Sequence, residues 1–595
     1  MKRPPSSLAI FLRIDRRATA LGWTAALLLL CLLGSACLIP SKRRECSSHR
    51  TCRQEYGPTH LCASDGICEA RPCETDGVCR TEFGATAECR EGRCQLRRCS
   101  SDGDCRNAFG PTARCRSGVC RRASCESDRA CRSSFGPTAR CSDGTCEKLD
   151  KSAFLDAPCD FSTSGPVFEQ GTYNIGVILA LDPDFKFHGL IEPIADAFRL
   201  AQSDINAVSG VDGHPLGLIF CDTRGENARA RRAAQHLADI GVEAVVGPDL
   251  SSYTVEIAPD PLAANQILTI SPSATSPALS NIGDDDYFWR TAPSDEIQTR
   301  ALASLVDQIP AKVQSVPDDP TERTTVMVTR AEDSYANGLR SGVVEHLPSD
   351  TVERIHSLSY SNEGRSDFED YRPIARKIAS KKPDLVMLWG LSEVWNIIRL
   401  ADRELQGAGI DDTIFVTADG GKDSEQAAQT DSSRSGSGLT PLTGRIWGTV
   451  PRSLRADEYN PYKLFKSTWA TAYATSADEH AFVANAYDAV YLVAFAAAHA
   501  GRFHGPALRD GMRRIAEDGG VDIVAGQQQF QKGVRALQGG DSIAFRGASG
   551  PIDFNESGGP SSANIALWCY KNGTIESEGD LLKAGSTDFR MQTCN

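Results

Sequence analysis

Between Cys46 and Cys146 the chain repeats one cysteine spacing four times, and no other feature limits its folding as strongly. The copies are Cys46, Cys52, Cys62, Cys68; Cys73, Cys79, Cys89, Cys94; Cys99, Cys105, Cys115, Cys120; and Cys125, Cys131, Cys141, Cys146. The pattern is C-x5-C-x9-C-x4/5-C, with a period of 26 or 27 residues. Each copy has an aromatic-Gly pair, such as Tyr56-Gly57 or Phe109-Gly110, and a glycine near its last cysteine. A unit this short, with one aromatic ring, cannot bury enough apolar surface to fold alone. Two disulfides per unit, at about 2–4 kcal/mol each, supply the missing stability. Spacing leaves three pairings open within a unit. Zinc is the competing use, but the close C-x2-C pairs of zinc ribbons are absent, and histidine occurs only as His49 and His60 in the first copy. The expectation is a disulfide-rich array over 46–147, with no metal and either a stalk or a contact-arm role.

Disulfides need an oxidising compartment, and the N-terminus is consistent with one. Lys2, Arg3, Arg13, Arg16 and Arg17 precede the apolar run Leu21 to Leu33, which ends in Gly34-Ser35-Ala36. This reads as a signal peptide over 1–36. The cysteine that follows resembles a bacterial lipobox, which implies lipid on Cys37, a membrane anchor and a short linker over 37–45. A plain signal peptide and a transmembrane anchor are the alternatives, the run being marginal for a span of about 20 residues. Leu38, not aspartate, follows the cysteine, which favours the outer membrane. At 595 residues the chain needs several domains. Its net charge of −13 argues against a nucleic-acid partner.

From Gly171 onward strands and helices alternate. Tyr173 to Leu181, Leu216 to Asp222 and Val242 to Gly247 are apolar strands, with helical periodicity over Ile194 to Ile205 and Ala228 to Ile240. A second run has strands at Thr324 to Thr329, Pro383 to Gly390 and Thr413 to Asp419, with helices over 338–347, 372–381 and 394–405. This order implies an α/β fold of two doubly wound parallel-sheet lobes with a cleft between them. The expected division is a linker over 148–170, a first lobe at 171–292 and 450–560, and a second lobe at 293–449 with a C-terminal return. Two hydroxyl-rich loops, Ser251-Ser252 and Ser271 to Ser276, follow strand ends, where open α/β sheets bind ligands. Hydroxyls and free N–H groups there suit an anion such as a carboxylate.

The ordered segments of this region resemble the type I periplasmic binding proteins, in the leucine/isoleucine/valine-binding branch that serves ABC importers. Those segments include Gly176 to Gly189, Gly247 to Thr254, Ile270 to Pro277, Asp333 to Leu339, Ala486-Tyr487-Asp488-Ala489 and Gly550 to Phe554. The resemblance implies an amino acid held by hinge closure. Its carboxylate would meet Ser251, Ser273 and Thr275, its amine Asp419, and its body Tyr335. Asp419 is shorter than the family's usual glutamate. His188, read as a loop residue, stands where members carry an aromatic. The implied partners are a small-molecule ligand and an ABC permease, or a sensor if the repeats serve as a contact arm.

Enzyme readings are weaker. Gly540-Asp541-Ser542 has no strand before it to present a nucleophile. Ser435-Gly436-Ser437-Gly438 sits in a stretch, Glu425 to Gly438, read as a polar loop. The ten histidines show no metal-ligand spacing, and nothing calls for a cofactor. Four cysteines remain. Cys159 and Cys221 flank strands expected to be neighbours, and Cys569 and Cys594 flank the C-terminal tail, so the expected pairs are Cys159–Cys221 and Cys569–Cys594.

Overall fold

The computed structural model describes residues 45–595 apart from 57–58, 84–85, 186, 311–312, 320–321, 362–366, 433–437, 453–459, 517–518, 584–588, 590–593 and 595. The expected signal peptide, Cys37 and Ser435 to Ser437 lie outside the described residues. Two compact units result: residues through Cys125 with Ser142–Glu147, and Glu126–Cys141 with Lys148–Asn595.

Each cysteine repeat is one eight-residue helix followed by a two-stranded hairpin. In the third copy these are Asp102–Phe109, Ala113–Arg116 and Val119–Arg122. The disulfides join first to third and second to fourth cysteine: Cys46–Cys62, Cys52–Cys68, Cys73–Cys89, Cys79–Cys94, Cys99–Cys115 and Cys105–Cys120. Cys125, Cys131, Cys141 and Cys146 are disulfide-bonded as well. The recurring glycine has a backbone reason. Ser117 and Gly118 both have positive φ (51° and 74°), the two-residue hairpin turn that favours glycine in second place. Each helix also reaches its hairpin through one side chain. Asp76 and Asp102 accept from the N–H groups of Cys89 and Cys115 at 2.8 Å. In the first copy His49 Nδ1 takes that role for Cys62 N at 3.0 Å, so this histidine is structural.

One residue serves each junction between copies. Arg71 donates its N–H to Thr59 O in the first copy and accepts at its carbonyl from Cys94 N in the second. Arg97 does the same between Thr86 and Cys120, and Ala123 between Thr112 and Cys146.

Among its described residues the α/β unit carries two large sheets and a two-stranded parallel one, Val521–Val524 with Ile543–Arg546. The first runs in the order Phe288–Arg290, Leu268–Ser271, Ala244–Val246, Tyr173–Leu179, Leu216–Asp222, Ser162–Ser164. Its strands are parallel except Ser162–Ser164, which pairs antiparallel with Leu216–Asp222. The second sheet runs Ile355–Tyr360, Thr325–Arg330, Leu385–Trp389, Ile414–Thr417, Ile446–Arg452, Asn564–Lys571, Thr574–Leu582. Its first five strands are parallel, and Asn564–Lys571 runs antiparallel to both its neighbours, Ile446–Arg452 and Thr574–Leu582. Leu216–Asp222 and Leu385–Trp389 are buried at every position, as strands covered on both faces must be. The helix Val483–Ala500 is apolar almost all round and packs on His188–Ala207, which places it inside the first lobe.

Three expectations change. Residues 148–170 are not a free linker: Phe154 is buried and Ser162–Ser164 extends the first sheet. Cys159, bonded to Cys221, therefore precedes an added edge strand and not the first parallel one. Much of the supposed loop from Glu425 belongs to the helix Ser424–Ser432, which caps its polar start with Asp423 accepting from Gln426 N at 3.0 Å. His188 is the first residue of the helix His188–Ala207, with its N–H donated to Phe185 O at 2.9 Å. Cys569 is bonded to Cys594. Among the described residues no helix is long and apolar enough to cross a membrane.

Candidate functional site

The strands of both lobes end toward a common cleft. In the first lobe, Ala244–Val246 gives way to Gly247 at φ 91°, where a Cβ would stand 2.5 Å from Ile178 O. Only glycine turns the chain there, and the turn delivers Asp249, Leu250 and Ser251 to the cleft. In the second lobe, Ile414–Thr417 ends two residues before Asp419, which lies in a single 3-10 turn, Asp419–Gly421. Tyr335 comes from the first turn of the helix Ser334–His346.

Ser251, Ser273, Tyr335 and Asp419 line one inner cavity, with Asp249 and Asp333 beside them. Thr275 is fully buried behind it and His188 lines a different cavity. The hydroxyls are already engaged. Ser251 Oγ accepts from Ser276 N at 3.2 Å, Ser273 Oγ donates to Asp249 O at 2.9 Å, and Thr275 Oγ1 donates to Asp295 Oδ2 at 3.0 Å. Asp419 Oδ1 accepts from Tyr335 Oη at 3.0 Å and from Gln298 Nε2 at 2.7 Å. The inner cavity measures about 30 Å³, room for a water or two but not for an amino acid.

Charge at this point is held in low dielectric. Asp419 and Asp295 are both buried, and burial raises the affinity of each carboxyl for its proton; for Asp295 the nearby Asp419 charge adds to the effect. Burial also pushes the Tyr335 hydroxyl well above the ordinary phenol range, so it stays a donor. Asp249 is pushed up to about 7 by burial, against the bond it accepts from Ala180 N at 3.1 Å; Tyr253 Oη donates to its other oxygen. Behind the loop, Arg290 is 1% exposed and donates to the Thr275 and Ser276 carbonyls at 3.1 and 3.0 Å, which fixes the hydroxyl-rich turn. Sequence reading missed Asp249, Asp295, Gln298 and Arg290. The first stands in the stretch Gly247 to Thr254; Arg290 ends the strand Phe288–Arg290, and Asp295 and Gln298 lie at the start of the helix Asp295–Gln308, with no local mark of a site.

The lobes meet directly. Ser276 Oγ donates to Ser334 O at 3.0 Å, and a Cβ on Gly189 would stand 2.9 Å from Glu425 Oε2. Outside these contacts lies a second and larger cavity of about 700 Å³, walled by Phe185, His188, Glu393, Asn396, Arg399 and Gln426 among others.

Two doubly wound lobes that present residues to one cleft define a hinge-type solute-binding fold. The chain belongs to the periplasmic binding protein family, whose profile matches residues 172–540, and within it to the type I proteins of the leucine/isoleucine/valine-binding branch. That family consists of solute-binding proteins and implies an extracytoplasmic location. The chain is similar, at 24% identity over 69% of its length and 90% of the relative's, to the chemotactic signal transduction system substrate-binding protein BasB of Halobacterium salinarum. It is 25% identical to the Leu/Ile/Val-binding protein homolog 3 of Brucella melitensis over 40% of this chain and 58% of that one. In three dimensions it is similar to the branched-chain amino acid transporter substrate binding protein LivJ of Streptococcus pneumoniae, in complex with isoleucine. That likeness has a TM-score of 0.51 at 20% identity and covers 69% and 99% of the two chains.

Proposed function

We propose that the chain captures an amino acid or similar small solute between its lobes and delivers it to an ABC permease, tethered outside the cytoplasm by lipid on Cys37. One observation carries the reading: Ser251 and Ser273 of the first lobe and Tyr335 and Asp419 of the second line the same cavity. A solute that bonds both sets stabilises the closed form over the open one, which is what hinge capture requires. The contracted inner cavity means that a bound amine must replace Tyr335 and Gln298 as partners of Asp419. The acid is ready for that exchange, since an ammonium at a carboxylate forms a bond about twice as strong as a neutral one.

A thermal-shift screen of the full chain against amino acids and small amides tests the reading. A bound solute at a hundredfold excess over Kd adds about 2.7 kcal/mol of stability. Asp419→Ala should abolish the shift. If only solutes without an amine shift melting, and Asp419→Ala leaves their affinity unchanged, the amino-acid reading is lost.

A sensory or interaction role on the same fold is the second reading. It is favoured by the similarity to a chemotactic substrate-binding protein over 90% of that protein's length, and by the repeat array as a contact arm. Co-purification of a permease or of a receptor with the full chain from its own membranes separates the two.

A further inference from the structure

The two cavities run along the same two segments. Leu190 and Ile191 line the inner one while His188 and Gly189 line the outer; Leu391 lines the inner while Ser392 and Glu393 line the outer. A solute entering the cleft meets both. The outer, at about 700 Å³, is within the range of ordinary small-ligand sites, and the inner is not.

Part of the second-lobe wall of the outer cavity is one helical face. Ser392, Asn396, Arg399 and Arg403 follow at spacings of four, three and four residues, leading into and along the helix Val394–Gly407. Arg399 is only 7% exposed. Its Nη2 donates to Asn396 Oδ1 and, at 2.9 Å, to Gln426 Oε1, while its Nε is buried without a hydrogen-bond partner. It forms no ion pair among the described residues, and the Asp423 carboxylate acts on it only from a distance. Of the cavity's acids, Glu393 is held by Tyr360 Oη at 2.7 Å and by Arg330 at 3.8 Å. Asp184 and Glu425 are exposed. A buried guanidinium ordinarily has an anion beside it. Here the neighbour on one side is the Phe368 ring, 5.5 Å from the guanidinium carbon to its centroid, and the cavity that both residues line holds no acid paired with Arg399 among the described residues. Ser392 Oγ and His188 Nδ1, two more lining groups, are also buried without partners.

We propose that the outer cavity is a subsite for a carboxylate that the solute carries away from its α-carbon, with Arg399 as its counter-charge. The proposal rests on the solute-binding reading above and narrows it to acidic amino acids and short γ-linked or peptide-like acids. The planar guanidinium suits a carboxylate better than a neutral group of the same size.

The test is titration calorimetry on the full chain with L-glutamate, L-2-aminoadipate and γ-L-glutamylglycine, against L-glutamine, L-leucine and L-norleucine. The expected result is that at least one acidic probe binds about tenfold or more tighter than the neutral ones, the size of one hydrogen bond to a charged group. Arg399→Gln should erase that preference and leave neutral affinities unchanged. Asn396→Asp, which gives Arg399 an internal anion and keeps the buried charge satisfied, should erase it too and serves if Arg399→Gln does not fold. Binding of neutral probes with no acidic preference, or a preference that survives both variants, overturns the subsite and leaves solute binding intact. If none of the six probes binds, the amino-acid reading falls and the subsite with it.

Discussion

Tyr335 Oη stands 3.0 Å from Asp419 Oδ1 and also accepts from Gly420 N at 2.9 Å, so one phenol closes the inner end of the cleft. All three groups belong to the second lobe. The contact is a prearranged pair within one lobe, and a solute has to compete with it.

Removing that hydroxyl should have a measurable cost without ligand. Tyr335→Phe leaves Gly420 N unpaired and Asp419 with Gln298 as its remaining side-chain donor. A buried group left unsatisfied costs about 1–3 kcal/mol. Denaturant unfolding of the full chain should show a loss of that size in the second lobe's transition. An unchanged midpoint would mean that water fills the vacancy at no cost.

Asp249 sets a pH dependence. Its folded-state pKa is raised to about 7, while an unfolded aspartate titrates at about 4. The native state therefore keeps a proton that the unfolded chain has released. This contribution is fully present below about pH 4 and is lost as pH rises through about 7. Asp488, pushed up to about 7 by burial, acts in the same direction. Melting temperature should fall between pH 5 and 8, and Asp249→Asn, whose amide mimics the protonated acid, should flatten that fall. A fall of equal size in the variant would remove Asp249 from the account.

The Cys159–Cys221 bond closes a loop of 62 residues and ties the edge strand Ser162–Ser164 to the first sheet. Loop-closure entropy assigns such a bond about 4 kcal/mol. Replacing both cysteines by alanine should lower the first lobe's unfolding midpoint accordingly. Amide exchange should speed up at Phe220, whose strand pairs with Ser162.

Gly448 faces Trp568 across the antiparallel pair that brings the C-terminus back to the second sheet. A Cβ there would stand 2.2 Å from the buried indole, which has no room to withdraw. Gly448→Ala should destabilise the second lobe by about 1–3 kcal/mol or more, read as a lower denaturant midpoint. A wild-type midpoint would show that the two strands can separate slightly without loss.

The strands were legible because parallel sheets bury both faces and leave continuous apolar runs. Leu216 to Asp222 was read to the residue on that ground. The edge strand Ser162–Ser164 was not: three polar residues have no periodicity, and only their partner strand makes them a strand. The polar helix Ser424–Ser432 has the composition of a linker, and its order comes from tertiary contacts such as Gln426 to Arg399. At the site, Ser251, Ser273, Tyr335 and Asp419 were brought together through the resemblance, and the structure places them around one cavity. Arg399 carried a signal that went unread: an arginine four residues after buried Trp395, on a helix whose neighbouring positions are core. Asp295 and Gln298 had none, since their burial depends on a sheet from elsewhere in the chain.

The junction residues Arg71, Arg97 and Ala123 each hand their N–H to one cysteine unit and their carbonyl to the next. No spacer separates neighbouring units, so the array can grow or shrink only by whole units of 26 or 27 residues. Duplicating or deleting a single unit would leave each remaining unit's own fold untouched, since its two disulfides and its side-chain tie from helix to hairpin all lie within it.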